Sequence, residues 1–301
     1  VKKSSYRAKR KIVQILSLLL VNGHFKTLWS GNLYGGKLKN VCIPVLNCHS
    51  CPFALTACPL GMLQQFLAMG LRQGITGFLY ILGLIGLPAM FLGRFFCGWI
   101  CPFGFFQELL YGAKHKLNVR RRGKIAIQTL KYIFLFGFVL LFPVIFTNKF
   151  GIRAPSFCKY ACPAGTVEAG FWGLWAGYGK FGFVLAGKMA ILAAVTFFSV
   201  RIWRFFCRIC PLGLILGFFN KVSLLQLRLN GRCDNCGVCE RVCPMNIAIP
   251  RDIKSIDCIR CAKCVDACPR KALSLSFRAP RSAVAAQEGG QIENSFDNLS
   301  G

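Results

Sequence analysis

Four stretches of this chain shed their polar residues for long enough to form membrane-length helices, which need about 20 residues. The first runs from Ile12 to about Leu28 and is broken by Asn22-Gly23-His24. The second covers Ile75–Leu92, the third Ile125–Phe146 and the fourth Phe181–Trp203. A buried helix of a soluble protein accounts for any one of them, but not comfortably for four. The pattern predicts an α-helical membrane protein with about four transmembrane helices over residues 1–220. Past Asn220 the texture becomes polar and Cys-rich, and residues 221–278 read as a small α+β domain. Residues 279–301 have little to bury and read as a disordered tail.

Charge gives the helices an orientation. Lys and Arg crowd the segment before the first run and the one between the second and third, and thin out in the two longer remaining loops. By the positive-inside rule both termini face the cytoplasm, with loops 29–74 and 148–180 outside. The implied location is a bacterial cytoplasmic membrane, crossed several times. Composition agrees: hydrophobic residues make up 54%, charged residues only 16%, and mean hydropathy is +0.50. The net charge of +28 does not point to nucleic acid, because the cations flank apolar runs and form no continuous basic face. No small-residue cleavage site follows the first apolar run, so no removable leader is expected.

The chain also repeats itself. Arg94-Phe-Phe-Cys97-Gly-Trp-Ile-Cys101-Pro-Phe-Gly matches Arg204-Phe-Phe-Cys207-Arg-Ile-Cys210-Pro-Leu-Gly, and each follows an apolar run. Upstream, Cys58-Pro-Leu-Gly matches Cys162-Pro-Ala-Gly. Two copies of helix, outer Cys-Pro loop, helix and inner Cys-Pro turn predict an internal two-fold repeat.

Eighteen cysteines carry the candidate chemistry. Cys233-x2-Cys236-x2-Cys239-x3-Cys243-Pro is followed by Cys258-x2-Cys261-x2-Cys264-x3-Cys268-Pro. A [4Fe–4S] cube takes three thiolates from the tight loop and the fourth from the remote Cys-Pro of the other copy. Cluster one is therefore expected on Cys233, Cys236, Cys239 and Cys268, and cluster two on Cys258, Cys261, Cys264 and Cys243. Zinc does not need this doubled, crossed spacing. The segment resembles the bacterial two-cluster ferredoxins, and Ile247–Ile249 and Leu273–Leu275 fit the strands such domains pack over their clusters.

If the two halves pack symmetrically, Cys97, Cys101, Cys207 and Cys210 meet and supply a third cluster. Arg94 and Arg204 then lie against it and favour its reduced, more negative state. Six cysteines remain on the outer side. Cys58, Cys158 and Cys162 belong together by the repeat, with Cys51 or Cys48 completing four for a fourth cluster; disulfides are the alternative in an oxidising compartment. The bland expectations are that Lys188 snorkels outward, the alternative being that it lines a cavity that binds a quinone or couples a proton, that Glu108 sits on a helix surface, and that Phe95, Phe96, Phe205 and Phe206 are interfacial aromatics.

Taken together, the helices, the inner Cys-Pro turns and the two ferredoxin motifs resemble the membrane polyferredoxin group that includes NapH and the C-terminal half of NosR-type proteins. The resemblance covers roughly residues 8 to 277. It implies electron transfer between the quinone pool, or a cytoplasmic donor, and other redox subunits of a complex. The competing functions are a membrane metal-ion or disulfide reductase acting through the outer cysteines, and a redox-sensing regulatory or assembly protein.

Overall fold

A computed structural model describes residues 5–27, 34–69, 74–111, 121–145, 155–175, 177 and 182–277. The expected tail at 279–301 lies outside them. The described chain is mostly helical. Helix α1 (Ser5–Val21) is followed by α2 (Pro59–Met69), α3 (Gly74–Leu92), α4 (Phe95–Trp99) and α5 (Pro102–Leu110). Helix α6 (Arg121–Tyr132) continues without a break through a π-helical stretch, Ile133–Leu141, to Ile145. Short turns over 157–175 lead to α7 (Phe183–Arg201), α8 (Phe205–Ile209) and α9 (Pro211–Phe218).

Among the described residues two helices are long and apolar enough to cross a membrane, Ala126–Ile145 and Phe183–Arg201, and Leu79–Leu92 is a shorter apolar helix. Only 22% and 17% of the two long segments is buried inside the protein. Phe136, Ile145, Ile191 and Phe197 face outward, while Leu135, Val139, Leu192 and Val195 face in. A soluble core helix would hide these groups from water.

The first apolar run behaves differently from the expectation. Helix α1 stops at Val21, where a Cβ on Gly23 would lie 2.9 Å from the Leu19 carbonyl oxygen, and so does not reach Leu28. One polar stripe, Arg10, Gln14 and Ser17, turns inward, and most of its apolar residues turn outward. Arg10 and Gln14 are each 1% exposed, whereas Ile12, Leu16, Leu19 and Leu20 lie open. Gln14 Nε2 donates to the Gly98 carbonyl and Ser17 Oγ to that of Ile100, so the polar stripe satisfies backbone at the α4–α5 turn.

Residues 221–277 form the small ferredoxin-like part. Strands β1 (Leu225–Leu229) and β2 (Leu273–Phe277) pair antiparallel, with Leu227 opposite Leu275. Only Leu273–Leu275 of the two expected strand segments is a strand. Ile247 and Ile249 instead sit buried in irregular chain, because they fill the space between the two cysteine loops. The core here includes Leu227, Met245, Ile259 and Leu273, and Cys207 of α8 packs into it. The two parts therefore share one continuous apolar contact.

Candidate metal centres

Within residues 221–277, the loops place the cysteines around two small cavities. One is lined by Cys233, Cys236, Cys239 and Cys268, the other by Cys243, Cys258, Cys261 and Cys264. Ile249 lines both. The backbone repeats with the cysteines: Asn235 and Arg260, Gly237 and Ala262, and Asn246 and Lys271 are matched positions with positive φ. Such left-handed residues curl the chain so that successive N–H groups point inward, a nest suited to an anionic cluster. Burial pushes the Cys258 thiol up to about 12. A thiolate at that position is favoured when a metal takes the place of the proton.

The cysteines of the helical part use a different device, the sequence Cys-Pro-x-Gly. Cys101 and Cys210 are the N-cap residues of α5 and α9, with proline at the first helical position. Cys162 caps the turn Pro163–Gly165, and Cys58 precedes α2. Proline suits a helix start, where its missing N–H has no partner to lose. The N–H of Gly165 donates to the Cys162 thiol at 3.5 Å, and Gly61, Gly104 and Gly213 stand at the same place beside Cys58, Cys101 and Cys210. Each sulfur thus sits at the N-terminal end of a helical turn, whose dipole offsets part of the cost of burying a thiolate.

At the inner end, Cys97, Cys101, Cys207 and Cys210 lie within electrostatic reach of one another. The two arginines cross over. Arg94 donates to the Cys207 carbonyl and Arg204 to that of Cys97, at 2.7 Å. Each guanidinium also packs on the glycine of the opposite Cys-Pro-x-Gly: a Cβ on Gly213 would lie 2.5 Å from Arg94 Nη2, and one on Gly104 3.3 Å from Arg204 Nη1. Both arginines are buried and bonded to carboxylates, Arg94 to Asp257 and Arg204 to Glu108.

Glu108 is not a surface residue. It is 15% exposed and accepts from Arg10, Arg204 and Lys263, tying α1, the second half and the ferredoxin part to α5. Burial alone would raise its carboxyl, but Arg204, Lys263 and Arg10 together hold it far below the usual carboxylate range. Phe96 and Phe206 are likewise buried under this site, not interfacial.

At the outer end, Cys48, Cys58, Cys158 and Cys162 line one open cavity of about 1000 Å³. The glycines again cross over: Gly61 faces Cys158 Sγ and Gly165 faces Cys48 Sγ. Cys51 does not line the cavity, and Cys42 instead contacts Met62, Sγ to Sδ at 2.7 Å. All eighteen cysteines are free thiols in this structure. Lys188 does not snorkel away; it lines the cavity with Nζ 3.5 Å from the Cys158 carbonyl oxygen. Among the described residues no three potential ligands are close enough to grip a single metal ion.

One set of residues escaped the sequence reading. Gln64, Gln107 and Glu168 each stand six residues after a Cys-Pro cysteine. Gln64 accepts from the Cys158 N–H at 3.1 Å, Gln107 from the Phe206 N–H at 2.8 Å, and Glu168 from the Cys48 N–H. Gln107 Nε2 also lies 3.4 Å from Cys207 Sγ. Each therefore holds a cysteine strand of the opposite half. The signal was present in the sequence as a polar residue one turn beyond the glycine, on the same helical face.

Residues 56–78, 73–121 and 182–230 match a family model described as a 4Fe-4S binding domain, and residues 218–287 one described as a 4Fe-4S dicluster domain. An uncharacterized protein of Methanocaldococcus jannaschii is 32% identical over 226 residues, which is 73% of this chain and 86% of that protein. The ferredoxin-type protein NapH of Haemophilus influenzae is 24% identical over 289 residues, 91% of this chain and 90% of NapH. The chain belongs to the NapH/NosR-type polyferredoxin family. The regulatory protein NosR of Pseudomonas aeruginosa is 28% identical over 207 residues, 64% of this chain and 27% of NosR. No solved structure matches the chain. As a polyferredoxin it carries its inner and ferredoxin cysteines within the matched segments, whereas Cys48, Cys51, Cys158 and Cys162 fall outside them.

Proposed function

We propose that this polyferredoxin is an integral membrane electron carrier with a chain of four [4Fe–4S] centres. Its ferredoxin part (221–278) and both termini are cytoplasmic, and its four apolar helices cross the bilayer. Cys233, Cys236, Cys239 and Cys268 hold cluster one, and Cys258, Cys261, Cys264 and Cys243 hold cluster two. Cys97, Cys101, Cys207 and Cys210 hold the inner centre, and Cys48, Cys58, Cys158 and Cys162 the outer one. The observation that carries this reading is the crossed contact of Arg94 and Arg204, each bonded to the cysteine strand of the other half. A pseudo-two-fold repeat explains why four distant thiols meet there. The bound cubes supply one-electron redox chemistry. At the inner centre the chain's own residues exclude water, and the buried guanidinium groups of Arg94 and Arg204 offset the anionic charge.

A hydrocarbon core about 30 Å thick is too wide for a single hop. Centres at both ends of the helical part, sunk in the Cys-Pro turns, shorten it; a mobile quinone is the other route for the electrons onward to a partner redox subunit. The open outer cavity favours a second reading as well, a reductase for an external metal ion or disulfide, in which Cys48 and Cys51 cycle between dithiol and disulfide.

Iron content and spectroscopy of anaerobically purified protein separate these readings. About sixteen irons are expected for four cubes, about twelve without the outer centre and about eight with the ferredoxin alone. Cys158→Ser should lose the outer signal and Cys51→Ser should keep it. Retention of all iron in Cys158→Ser, with a Cys48–Cys51 disulfide forming on oxidation, favours the reductase.

A further inference from the structure

The ferredoxin part has two unlike faces. On the cluster-two side it is closed against the helices. Asn220 Nδ2 donates to the carbonyls of Ser255 and Cys258, at 3.0 and 2.8 Å, and Trp99 Nε1 to that of Arg260 at 3.0 Å. A Cβ on Gly98 would lie 2.3 Å from the Ile259 carbonyl oxygen, and one on Gly217 the same distance from that of Ile256. The cations here are consumed internally: Arg260 bonds Leu92, Asn220 and Ser223, and Lys263 bonds Glu108 and lies over the Trp203 ring.

The cluster-one side is free. Cys236 is exposed, and Cys233 and Cys268 are half-buried. Around them stand five exposed cations. Arg232 adjoins Cys233, Arg241 Nη2 lies 3.5 Å from the Cys236 carbonyl, Arg251 follows Pro250, and Arg270 and Lys271 follow Pro269. The exposed carboxylates nearby are Asp234 and Asp252, and Asp234 is already paired with Arg270 at 3.4 Å.

We propose that this face is the docking surface for an acidic one-electron carrier protein, with the Cys233/Cys236/Cys239/Cys268 centre as its port. The inference rests on the reading above that these cysteines hold a cluster. The exchange is a bare electron transfer. The carrier's centre loses one electron, the port gains it, and no bond forms or breaks. A basic rim around an exposed redox centre attracts an acidic partner and orients it edge-on, the arrangement that raises association rates by steering. The lipid surface is a poor occupant, since the face lies away from the side that meets the helices.

The test uses the full-length protein in detergent, with a reduced acidic bacterial ferredoxin as donor and reduced methyl viologen as small-molecule control. Reduction by the ferredoxin should slow at least about tenfold between low and high salt. Arg232→Glu/Arg241→Glu should slow it by a similar factor at low salt. Lys221→Glu/Arg201→Glu, the same charge change placed away from the port, should change it less than about twofold, and none of these variants should slow reduction by viologen. Affinity for the oxidised ferredoxin, which needs no electron transfer, should fall in parallel. Salt-independent rates, or equal losses in both double variants, overturn the port. Failure of viologen to reduce any centre overturns the electron-transfer reading on which it stands.

Discussion

The inner and outer four-cysteine sites are written in the same Cys-Pro-x-Gly grammar, yet they close differently. At the inner end, buried Arg94 and Arg204 fill the space between the halves and bond both strands. At the outer end no arginine among the described residues crosses; the glycines face thiols, and a cavity of about 1000 Å³ stays open beside Lys188. The capping geometry fixes where each sulfur points, while the crossing side chains decide whether the site is sealed. A sealed site excludes a molecule from outside, whereas an open one can admit it.

The largest effect comes from breaking the inner site. Cys97→Ser and Cys207→Ser, though on opposite halves, should each abolish the same paramagnetic signal and leave the two ferredoxin signals in place. Loss of different centres in the two variants would separate the halves and remove the basis for comparing inner with outer. Next in size is the charged hub. Glu108→Gln leaves Arg10 and Arg204 buried without their carboxylate, an uncompensated charge that costs about 3–5 kcal/mol. The measurement is the unfolding midpoint in detergent. Glu168→Gln, in the outer Cys-Pro turn at the position matched to Gln107, keeps an acceptor for the Cys48 N–H and breaks no ion pair among the described residues, so its midpoint should fall much less.

How much of this was legible beforehand depended on sequence distance. The ferredoxin loops were readable because three cysteines of each cavity lie within seven residues, and the fourth is given by the doubled motif. The meeting of Cys97, Cys101, Cys207 and Cys210 was readable only through the repeat, since nothing local brings residues so far apart together. Glu108 was misjudged, and Lys188 followed the less favoured of its two readings, for one reason. A lone charge in or beside an apolar run usually reaches for water, and the partners of these two, the Cys158 carbonyl and the Arg10–Arg204–Lys263 group, belong to other segments. Helix α1 was misjudged because an inward polar stripe and an outward apolar one average to an unremarkable hydropathy, and only packing shows which side is in.

The smallest change sharpens the comparison most finely. Gly213 and Gly61 hold equivalent places in their motifs, but a methyl group at Gly213 would meet Arg94 Nη2 at 2.5 Å, whereas at Gly61 it would meet Cys158 Sγ at 3.8 Å, an ordinary contact. Arg94 cannot simply retreat, because it is held by the Ile256 carbonyl, Asp257 and the Cys207 carbonyl. Gly213→Ala should therefore displace the guanidinium and lower the potential of the inner centre, read by redox titration. Gly61→Ala should leave the outer signal unchanged and, by its better helix propensity at the start of α2, raise stability by up to about 1 kcal/mol. If both alanines are equally harmless, Arg94 does not fill the gap between the halves, and the inner site is as open as the outer one.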